Sequence, residues 1–220
     1  MPLKAVLFDM DGVIVNTEPL YYKMYHRFLK ELGIDEFDED FIATFRGASS
    51  KSIYAKIIGR YHLEKTPAEL ETIKERLVDF YREDNPELEL MPHAKELIEE
   101  YHRKGYKKVI ASSSRTAYID IVLKKFGLEP YFMAKVSGND LKESKPNPEI
   151  FLIAAEKAGE SKENCMVIED ATNGIIAANR AGIFCAGYDF DNEHVQDYSS
   201  ADIVVADLRE LYPDRIEKYF

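Results

Sequence analysis

The chain has 220 residues, of which 45% are apolar, and it carries a formal net charge of −11. The apolar content excludes a wholly disordered protein, and the length suits one large domain or a core with a smaller inserted domain. The acidic balance, without any run of Lys and Arg, argues against a nucleic-acid-binding protein, because phosphate backbones require a concentrated basic face.

The remaining composition favours a soluble cytoplasmic protein. No stretch of sequence is long and apolar enough to span a membrane, and residues 1–8 do not have the pattern of a signal peptide. The two cysteines, Cys165 and Cys185, lie inside apolar runs, as free thiols in a protein core do. We expect a monomer that has no membrane or nucleic-acid partner.

Short apolar runs predict six strands, at residues 4–8, 109–111, 132–136, 166–168, 183–186 and 203–205. The runs are continuous rather than alternating, which is typical of strands buried on both faces of a parallel sheet. Helical patterns lie between them, such as the one that Pro148 opens and Gly159 ends. The alternation predicts an α/β fold with a doubly wound parallel sheet.

One stretch departs from this alternation. From Thr17 to Asn85 the sequence shows only helical periodicity, as in Leu20, Met24 and Phe28, which recur every four residues. We therefore predict an all-helical cap domain, residues 15–87, inserted into an α/β core formed by residues 1–14 and 88–220.

The first predicted strand ends in Asp9-Met10-Asp11-Gly12-Val13. An Asp-x-Asp-Gly match is weak when it stands alone, and an acidic turn would explain it equally well. It is not an EF-hand loop, because no third loop carboxylate or closing Glu follows at the required offsets. Its meaning depends on whether other polar groups gather at the same edge of the sheet.

Three further groups follow other predicted strands. A serine triplet, Ser112 to Ser114, stands at a strand-to-helix junction, where hydroxyl and backbone N–H groups bind anions. The other two groups are Lys145 before Pro146 and the acid pair Glu169-Asp170. Ligands of doubly wound sheets bind beyond the carboxyl ends of the strands, which is where all of these groups fall.

Charge then indicates the chemistry. Attack by the Asp9 carboxylate on a phosphoryl group joins two anions, and two unit charges about 4 Å apart repel by roughly 4 kcal/mol near a protein surface. Lys145 offsets one charge only, so a cation is needed, and the oxygen ligands Asp9, Asp11, Glu169 and Asp170 favour Mg²⁺.

In this scheme Asp9 is the nucleophile, which forms an aspartyl phosphate. Asp11 protonates the leaving oxygen and then accepts a proton from the second attacking group. The phosphoryl oxygens are held by Ser112, the backbone N–H of Ser113, and Lys145.

The four motifs, in this order, resemble those of the haloacid dehalogenase superfamily. The resemblance extends over essentially the whole chain, and the helical insertion is similar to the cap of the sugar-phosphatase and β-phosphoglucomutase branch. It implies a Mg²⁺-dependent phosphatase or phosphomutase whose substrate is a small phosphorylated metabolite.

The cap departs from the mutase pattern. The resemblance aligns Tyr21 with a histidine and Ser50 with a phosphate-binding arginine of β-phosphoglucomutases. Their absence favours hydrolysis, although Arg46 or Lys51 could supply the missing charge. We therefore weigh a sugar-phosphate phosphatase first, a β-phosphoglucomutase-type phosphomutase as the alternative, and a non-catalytic phosphate-binding module third.

Overall fold

The computed structural model describes residues 2–45, 50–82, 85–190 and 196–220, without the side chains of residues 43, 51 and 79–82. The chain divides into two compact units. The core unit is formed by residues 1–16 and 89–220, and the cap unit is formed by residues 17–88.

Strands and helices alternate through the core unit. The strands are β1 (Ala5–Phe8), β2 (Val15–Asn16), β3 (Glu89–Leu90), β4 (Lys107–Ser112), β5 (Ala134–Ser137), β6 (Cys165–Glu169), β7 (Phe184–Tyr188) and β8 (Ile203–Val205). The helices of both units are α1 (Glu18–Glu31), α2 (Glu39–Ala43), α3 (Ser50–Tyr61), α4 (Pro67–Arg82), α5 (Ala94–Arg103), α6 (Thr116–Phe126), α7 (Glu149–Ala158), α8 (Thr172–Ala181) and α9 (Pro213–Ile216).

Six strands form one parallel sheet in the order β5–β4–β1–β6–β7–β8. The central strand is β1, in which Ala5 pairs with Lys107 of β4 on one side and with Cys165 of β6 on the other. The chain runs outward through β4 and β5 and then returns to the opposite side of β1, so the winding reverses beside β1. The predicted α/β class and doubly wound parallel sheet are confirmed.

Helices cover both faces of this sheet. On one face, Leu7 is fully buried in a cluster with Phe151 of α7 and Ile175 of α8. On the other face, Phe8 packs edge-on against Tyr101 of α5, with ring centroids 6.4 Å apart. Consecutive residues of one strand therefore enter two apolar layers, which explains why the strand sequences are continuously apolar.

The cap unit consists of α1 to α4. Their apolar faces form one buried cluster, to which α1 contributes Met24 and Phe28, α3 contributes Ile57, and α4 contributes Leu70 and Leu77. Spacings of three, four and seven residues place such side chains on one face of a helix. The predicted insertion of helices between the first strand and the rest of the sheet is confirmed.

Several elements were not predicted. The antiparallel strands β2 and β3 pair Val15 with Leu90, and two residues are too few to show a hydrophobic pattern. The C-terminal helix α9 is a single short turn. The strand predicted at 132–136 begins at Ala134, because a 3₁₀ turn over Glu129–Tyr131 precedes it.

Two predictions from composition can be compared with the structure. Cys165 and Cys185 are buried free thiols on neighbouring strands, as predicted. None of the helices in the described ranges has both the length and the apolar character required to cross a bilayer.

Candidate active site

The candidate site lies at the carboxyl edge of the parallel sheet, where the winding reverses. Asp9 directly follows β1, Ser112 ends β4, and Glu169 ends β6. Because β4 and β6 are the two neighbours of β1, these three strand ends are adjacent. Three of the four sequence motifs thus come together at this edge. The fourth motif contributes the side chain of Lys145, which extends to the same edge.

Lys145 lies in the connection between β5 and α7, and its ammonium group joins three strands. It donates hydrogen bonds to Asp9 Oδ1 at 2.5 Å, to Glu169 Oε1 at 2.7 Å and to the Ala111 carbonyl at 2.9 Å. A lysine has three N–H donors, and here each donates to a residue in, or directly after, a different strand. Only 6% of the Lys145 side chain is exposed, which makes this a buried charge cluster.

Burial and mutual repulsion set the charges of the acids. Burial raises the pKa of Asp9 to about 7, while Lys145 opposes this shift and Glu169 and Asp11 reinforce it. Burial alone would lower the pKa of Lys145, but the two carboxylates that it contacts outweigh burial and raise that pKa above its ordinary value. The cluster therefore holds more carboxylate charge than one ammonium group neutralises.

Glu169 is fixed through both of its carboxylate oxygens. Oε1 accepts from Lys145, and Oε2 accepts from the backbone N–H of Ala171 at 2.8 Å. The carboxylate lies against the first turn of α8, where a Cβ on Gly174 would be 1.7 Å from Oε1. A residue with any side chain at position 174 would displace Glu169, and with it the partner of Lys145.

Asp170 is confined in a similar way by the loop after β1. A Cβ on Gly12 would lie 1.9 Å from Asp170 Oδ2, so this carboxylate packs on the backbone next to Asp11. Burial raises the pKa of Asp170 well above its ordinary value, and the charges of Glu169 and Asp9 add to the effect. The Asp170 carboxylate is thus a close neighbour of the Asp9–Asp11 loop.

The serine triplet supplies a partner for Asp11. The buried Ser114 hydroxyl donates to Asp11 Oδ2 at 2.6 Å, and the Ser114 backbone N–H donates to Ser112 Oγ at 3.0 Å. The Ser114 carbonyl accepts from the Ser137 hydroxyl at 2.8 Å. Because Ser112 Oγ accepts in this turn, its own proton points elsewhere, while Ser113 between the two serines is exposed.

The predicted cap residues lie in the cap unit, as far as the structure describes them. Tyr21 is on α1 and packs half-buried against the apolar cluster of that unit. Ser50 begins α3, and its hydroxyl accepts a hydrogen bond from Lys74 of α4 at 2.6 Å. Arg46 and the side chain of Lys51 lie outside the described residues.

The carboxylates of the site have the chemistry that a hard divalent cation such as Mg²⁺ prefers. Asp9, Asp11 and Asp170 provide only oxygen donors, and their repulsion is reduced when a cation binds. Within the described ranges, no three His, Cys, Asp or Glu side chains already have the arrangement of a metal site.

Several contributors were not identified from the sequence. Ser114 belongs to a recognised triplet, but only the structure shows its bond to Asp11. Gly174, five residues after Glu169, gives no signal without coordinates. Lys74 resembles any other lysine on an amphipathic helix, and its contact with Ser50 depends on how α3 and α4 pack.

Comparison with known proteins identifies the family of the chain. The family model described as haloacid dehalogenase-like hydrolase matches residues 6–188. A phosphorylated carbohydrates phosphatase of Thermotoga maritima is 32% identical over 191 residues, which are 82% of each chain. The β-phosphoglucomutase of Bacillus subtilis is 31% identical over 215 residues, covering 95% of this chain and 92% of the other.

The solved structures show the same fold. A crystal structure described as a predicted phosphoglycolate phosphatase from Haemophilus somnus has a TM-score of 0.81 and 25% identity. The match covers 95% of this chain and 96% of that one. The chain therefore belongs to the haloacid dehalogenase-like hydrolase family.

Proposed function

We propose that this protein is a Mg²⁺-dependent phosphatase that hydrolyses a sugar monophosphate or a similar small metabolite through an aspartyl phosphate on Asp9. The observation that carries the proposal is the buried ammonium of Lys145, which holds Asp9 Oδ1 at 2.5 Å. It orients a carboxylate at the sheet edge where α/β proteins bind ligands. The sugar-phosphate class is supported by the relative named for phosphorylated carbohydrates.

In the first step, an Asp9 oxygen forms a bond to phosphorus as the bond from phosphorus to the sugar oxygen breaks. Asp11 donates its proton to that leaving oxygen. Ser114, which hydrogen-bonds Asp11 Oδ2, keeps the acid oriented while it is protonated on the other oxygen. The products are the free sugar and a phosphoryl group on Asp9.

In the second step, a water oxygen attacks phosphorus and Asp11 takes the proton of that water. The bond between phosphorus and the Asp9 oxygen breaks, and inorganic phosphate leaves with Asp9 restored as a carboxylate. Lys145 stays beside Asp9 through both steps and opposes the negative charge that builds on the phosphoryl oxygens. The Ser112 hydroxyl and the Ser113 backbone N–H are the further donors that we assign to those oxygens.

Asp9, Asp11 and Asp170 are the residues that would hold Mg²⁺. Both oxygens of Glu169, the fourth ligand suggested by the sequence, already accept hydrogen bonds from Lys145 and the Ala171 backbone N–H. When bound, the ion supplies the positive charge that one ammonium group cannot. Asp170 has its carboxylate packed on Gly12, beside the loop that carries the other two acids.

A phosphomutase is the second candidate, since the B. subtilis relative carries that activity in its name. In a mutase, the hydroxyl of a second sugar phosphate replaces water in the second step. Hydrolysis is favoured because Tyr21 and Ser50 stand where the mutase pattern has histidine and arginine. Lys74, which bonds Ser50, is the nearest described substitute for the arginine charge.

The test is a panel of phosphorylated sugars, with inorganic phosphate as the readout, on the wild type and Asp9→Asn. We expect phosphate release that EDTA removes and Mg²⁺ restores. Asp9→Asn should keep the circular dichroism spectrum and lose turnover, because an amide cannot form the acyl phosphate.

Three results would contradict this proposal in different ways. Isomerised product without phosphate release identifies the mutase. Silence on every substrate identifies a binding module. Full activity of thoroughly metal-stripped protein removes the requirement for Mg²⁺.

A further inference from the structure

The side chain of Tyr198 reaches the turn that carries the two acids. Its hydroxyl lies 2.9 Å from the Asp170 carbonyl and 3.1 Å from the Tyr188 carbonyl, so the two carbonyls share its single proton in a three-centre hydrogen bond. Tyr188 ends β7, and Asp170 follows the neighbouring strand β6. One phenol therefore ties the ends of two adjacent strands at the point where Asp170 begins.

The ring of Tyr198 has a fixed place on the sheet. It lies over Gly187 of β7, where a Cβ would be 2.7 Å from the ring carbon Cδ1. The ring also packs against the main apolar cluster of the core unit. Because packing fixes the ring, the hydroxyl has little freedom to leave its two carbonyl partners.

The two residues before Tyr198 hold the other end of the same turn. The Gln196 side-chain oxygen accepts from the Thr172 backbone N–H at 2.9 Å and from the Thr172 hydroxyl at 2.8 Å. The Asp197 backbone N–H donates to the Thr172 hydroxyl at 2.8 Å. Residues 196–198, which we call the clasp, thus bind the acid turn, residues 169–172, at Asp170 and at Thr172.

Asp170 is held through both its side chain and its backbone. Its carboxylate packs on Gly12, and its carbonyl is bonded by Tyr198. The N–H of the same peptide unit, that of Ala171, is already held by Glu169, so loss of the phenol hydroxyl would leave the peptide bonded at one end only. Any resulting shift of the Asp170 Cα would move the carboxylate relative to Gly12, because the side chain starts from that Cα.

We propose that Tyr198 is a positioning residue for the metal site, which fixes the Asp170 backbone so that the carboxylate is ready to bind Mg²⁺. Tyr198 does not touch the reacting atoms; it acts through Asp170. The inference rests on the proposed function, since it assigns Asp170 to Mg²⁺. Partners that orient a metal ligand typically change metal affinity by 10- to 100-fold.

The test compares two tyrosine-to-phenylalanine variants. Tyr198→Phe keeps the ring over Gly187 and removes the hydroxyl. Tyr101→Phe is the matched control, because the Tyr101 hydroxyl, which is more deeply buried, also donates to a backbone carbonyl, that of Leu211 at 2.6 Å. Mg²⁺ affinity is measured by calorimetry on metal-stripped protein, and Mn²⁺ affinity by electron paramagnetic resonance.

We expect Tyr198→Phe to raise the Kd for both ions about tenfold. Saturating Mg²⁺ should return its turnover to near the wild-type rate, because the chemistry of Asp9 is unaltered. Tyr101→Phe should lose stability in urea yet bind both ions as the wild type does. Gln196→Met, which removes the bonds to Thr172, serves as a second variant and should weaken ion binding in the same direction.

Unchanged ion affinity in Tyr198→Phe, or equal weakening in Tyr101→Phe, would overturn the inference. If the wild type binds Mg²⁺ and releases phosphate in that experiment, the proposed function survives that failure. If the wild type binds no Mg²⁺, the metal assignment is wrong and the role of Tyr198 falls with it.

Discussion

The Ser114 hydroxyl donates a 2.6 Å hydrogen bond to Asp11 Oδ2, between residues 103 positions apart in the chain. The bond engages Oδ2 of the proposed acid, and we assign the transferred proton to Oδ1. It gives Asp11 a fixed orientation before any substrate is present, as a general acid requires.

The first prediction follows from this bond. Asp11→Asn should slow hydrolysis of a sugar phosphate far more than that of an aryl phosphate, because a good leaving group needs no proton. Ser114→Ala should show the same selectivity in weaker form, roughly tenfold or less on the sugar phosphate, which corresponds to about 1.4 kcal/mol or less. The measurement is kcat/KM on the two substrates.

Ser137→Ala is the control for that pair of substrates. It removes a buried hydroxyl that donates to the Ser114 carbonyl rather than to Asp11. It should cost similar stability without changing the ratio between the two substrates. An equal loss on both substrates in Asp11→Asn would refute the acid role.

The second prediction concerns two glycines in helices. Gly174→Ala should destabilise the fold by about 1–3 kcal/mol and reduce phosphate release, because its Cβ would meet the Glu169 carboxylate at 1.7 Å. That carboxylate has little room to move, since Lys145 and the Ala171 N–H both bind it. Urea unfolding and kcat/KM are the measurements.

Gly59→Ala is the matched substitution in α3. No atom lies within 4 Å of a Cβ placed there, so alanine should raise stability by about 0.5–1 kcal/mol through its higher helix propensity. Activity should stay at the wild-type level. If Gly174→Ala behaved like Gly59→Ala, the close packing of Glu169 would be unimportant.

The third prediction separates a buried ion pair from an exposed one. Lys145→Met should abolish activity and cost about 3–5 kcal/mol of stability, because it leaves the buried Asp9 and Glu169 carboxylates without their cation. Lys107→Met breaks a 2.6 Å pair with Glu160 in which 39% of the lysine side chain is exposed, so it should cost about 0–1 kcal/mol. Similar losses in the two urea titrations would show that burial does not govern the energy of these pairs.

The α/β core and its candidate site could be predicted from sequence because both depend on local patterns. Continuous apolar runs mark the strands, and a polar residue at the end of a run must lie at the carboxyl edge of a parallel sheet. Asp9 and Glu169 were found in this way, whereas Lys145 lies in the loop after a run, before Pro146, and no pattern states that its ammonium group bonds both acids.

The partners supplied by packing could not be predicted. Ser114 reaches Asp11, and Lys74 reaches Ser50, only because of how separate elements are placed in space. Tyr198 could not be found by searching for polar residues at strand ends, since it follows the end of β7 by ten residues. Contacts of this kind depend on side-chain geometry rather than on periodicity.

The fourth prediction concerns pH. Lys108 is 2% exposed and donates to the Tyr106 carbonyl at 2.8 Å, and burial lowers its pKa from 10.5 to about 8. Between pH 8 and 10.5 the unfolded chain holds a proton at this lysine that the folded protein does not, so stability rises with pH through this window. The full gain is at most about 3 kcal/mol.

The measurement is urea unfolding of the wild type and Lys108→Met at several pH values from 7 to 10.5. The contributions of all other titrating groups cancel in the difference between the unfolding free energies of the two proteins. The free energy of unfolding of the wild type should increase relative to the variant as the pH rises. A constant difference across the series would mean that Lys108 keeps its ordinary pKa in the folded protein.

The fifth prediction concerns whether water or a sugar phosphate accepts the phosphoryl group in the second step. Tyr21→His combined with Ser50→Arg should slow phosphate release severalfold and let added glucose phosphate capture more of the phosphoryl group. Tyr22→His combined with Ser52→Arg makes the same changes one and two positions away, on the exposed side of α1 and α3, and should leave the partition unaltered. Labelled phosphate is counted in both products.

If the first double variant partitions as the wild type does, Tyr21 and Ser50 do not determine the acceptor. A wild type that already transfers mainly to sugar would instead identify a mutase.

The three bonds of Lys145 have a consequence for assembly. They connect residues separated by 136, 34 and 24 positions in the chain, through Asp9, Ala111 and Glu169 respectively. These groups meet only after β1 has paired with both β4 and β6, which are non-local pairings that form slowly. On the proposed mechanism, a nascent or partly folded chain therefore cannot form an aspartyl phosphate at Asp9, and activity should arise only once the central three strands are complete.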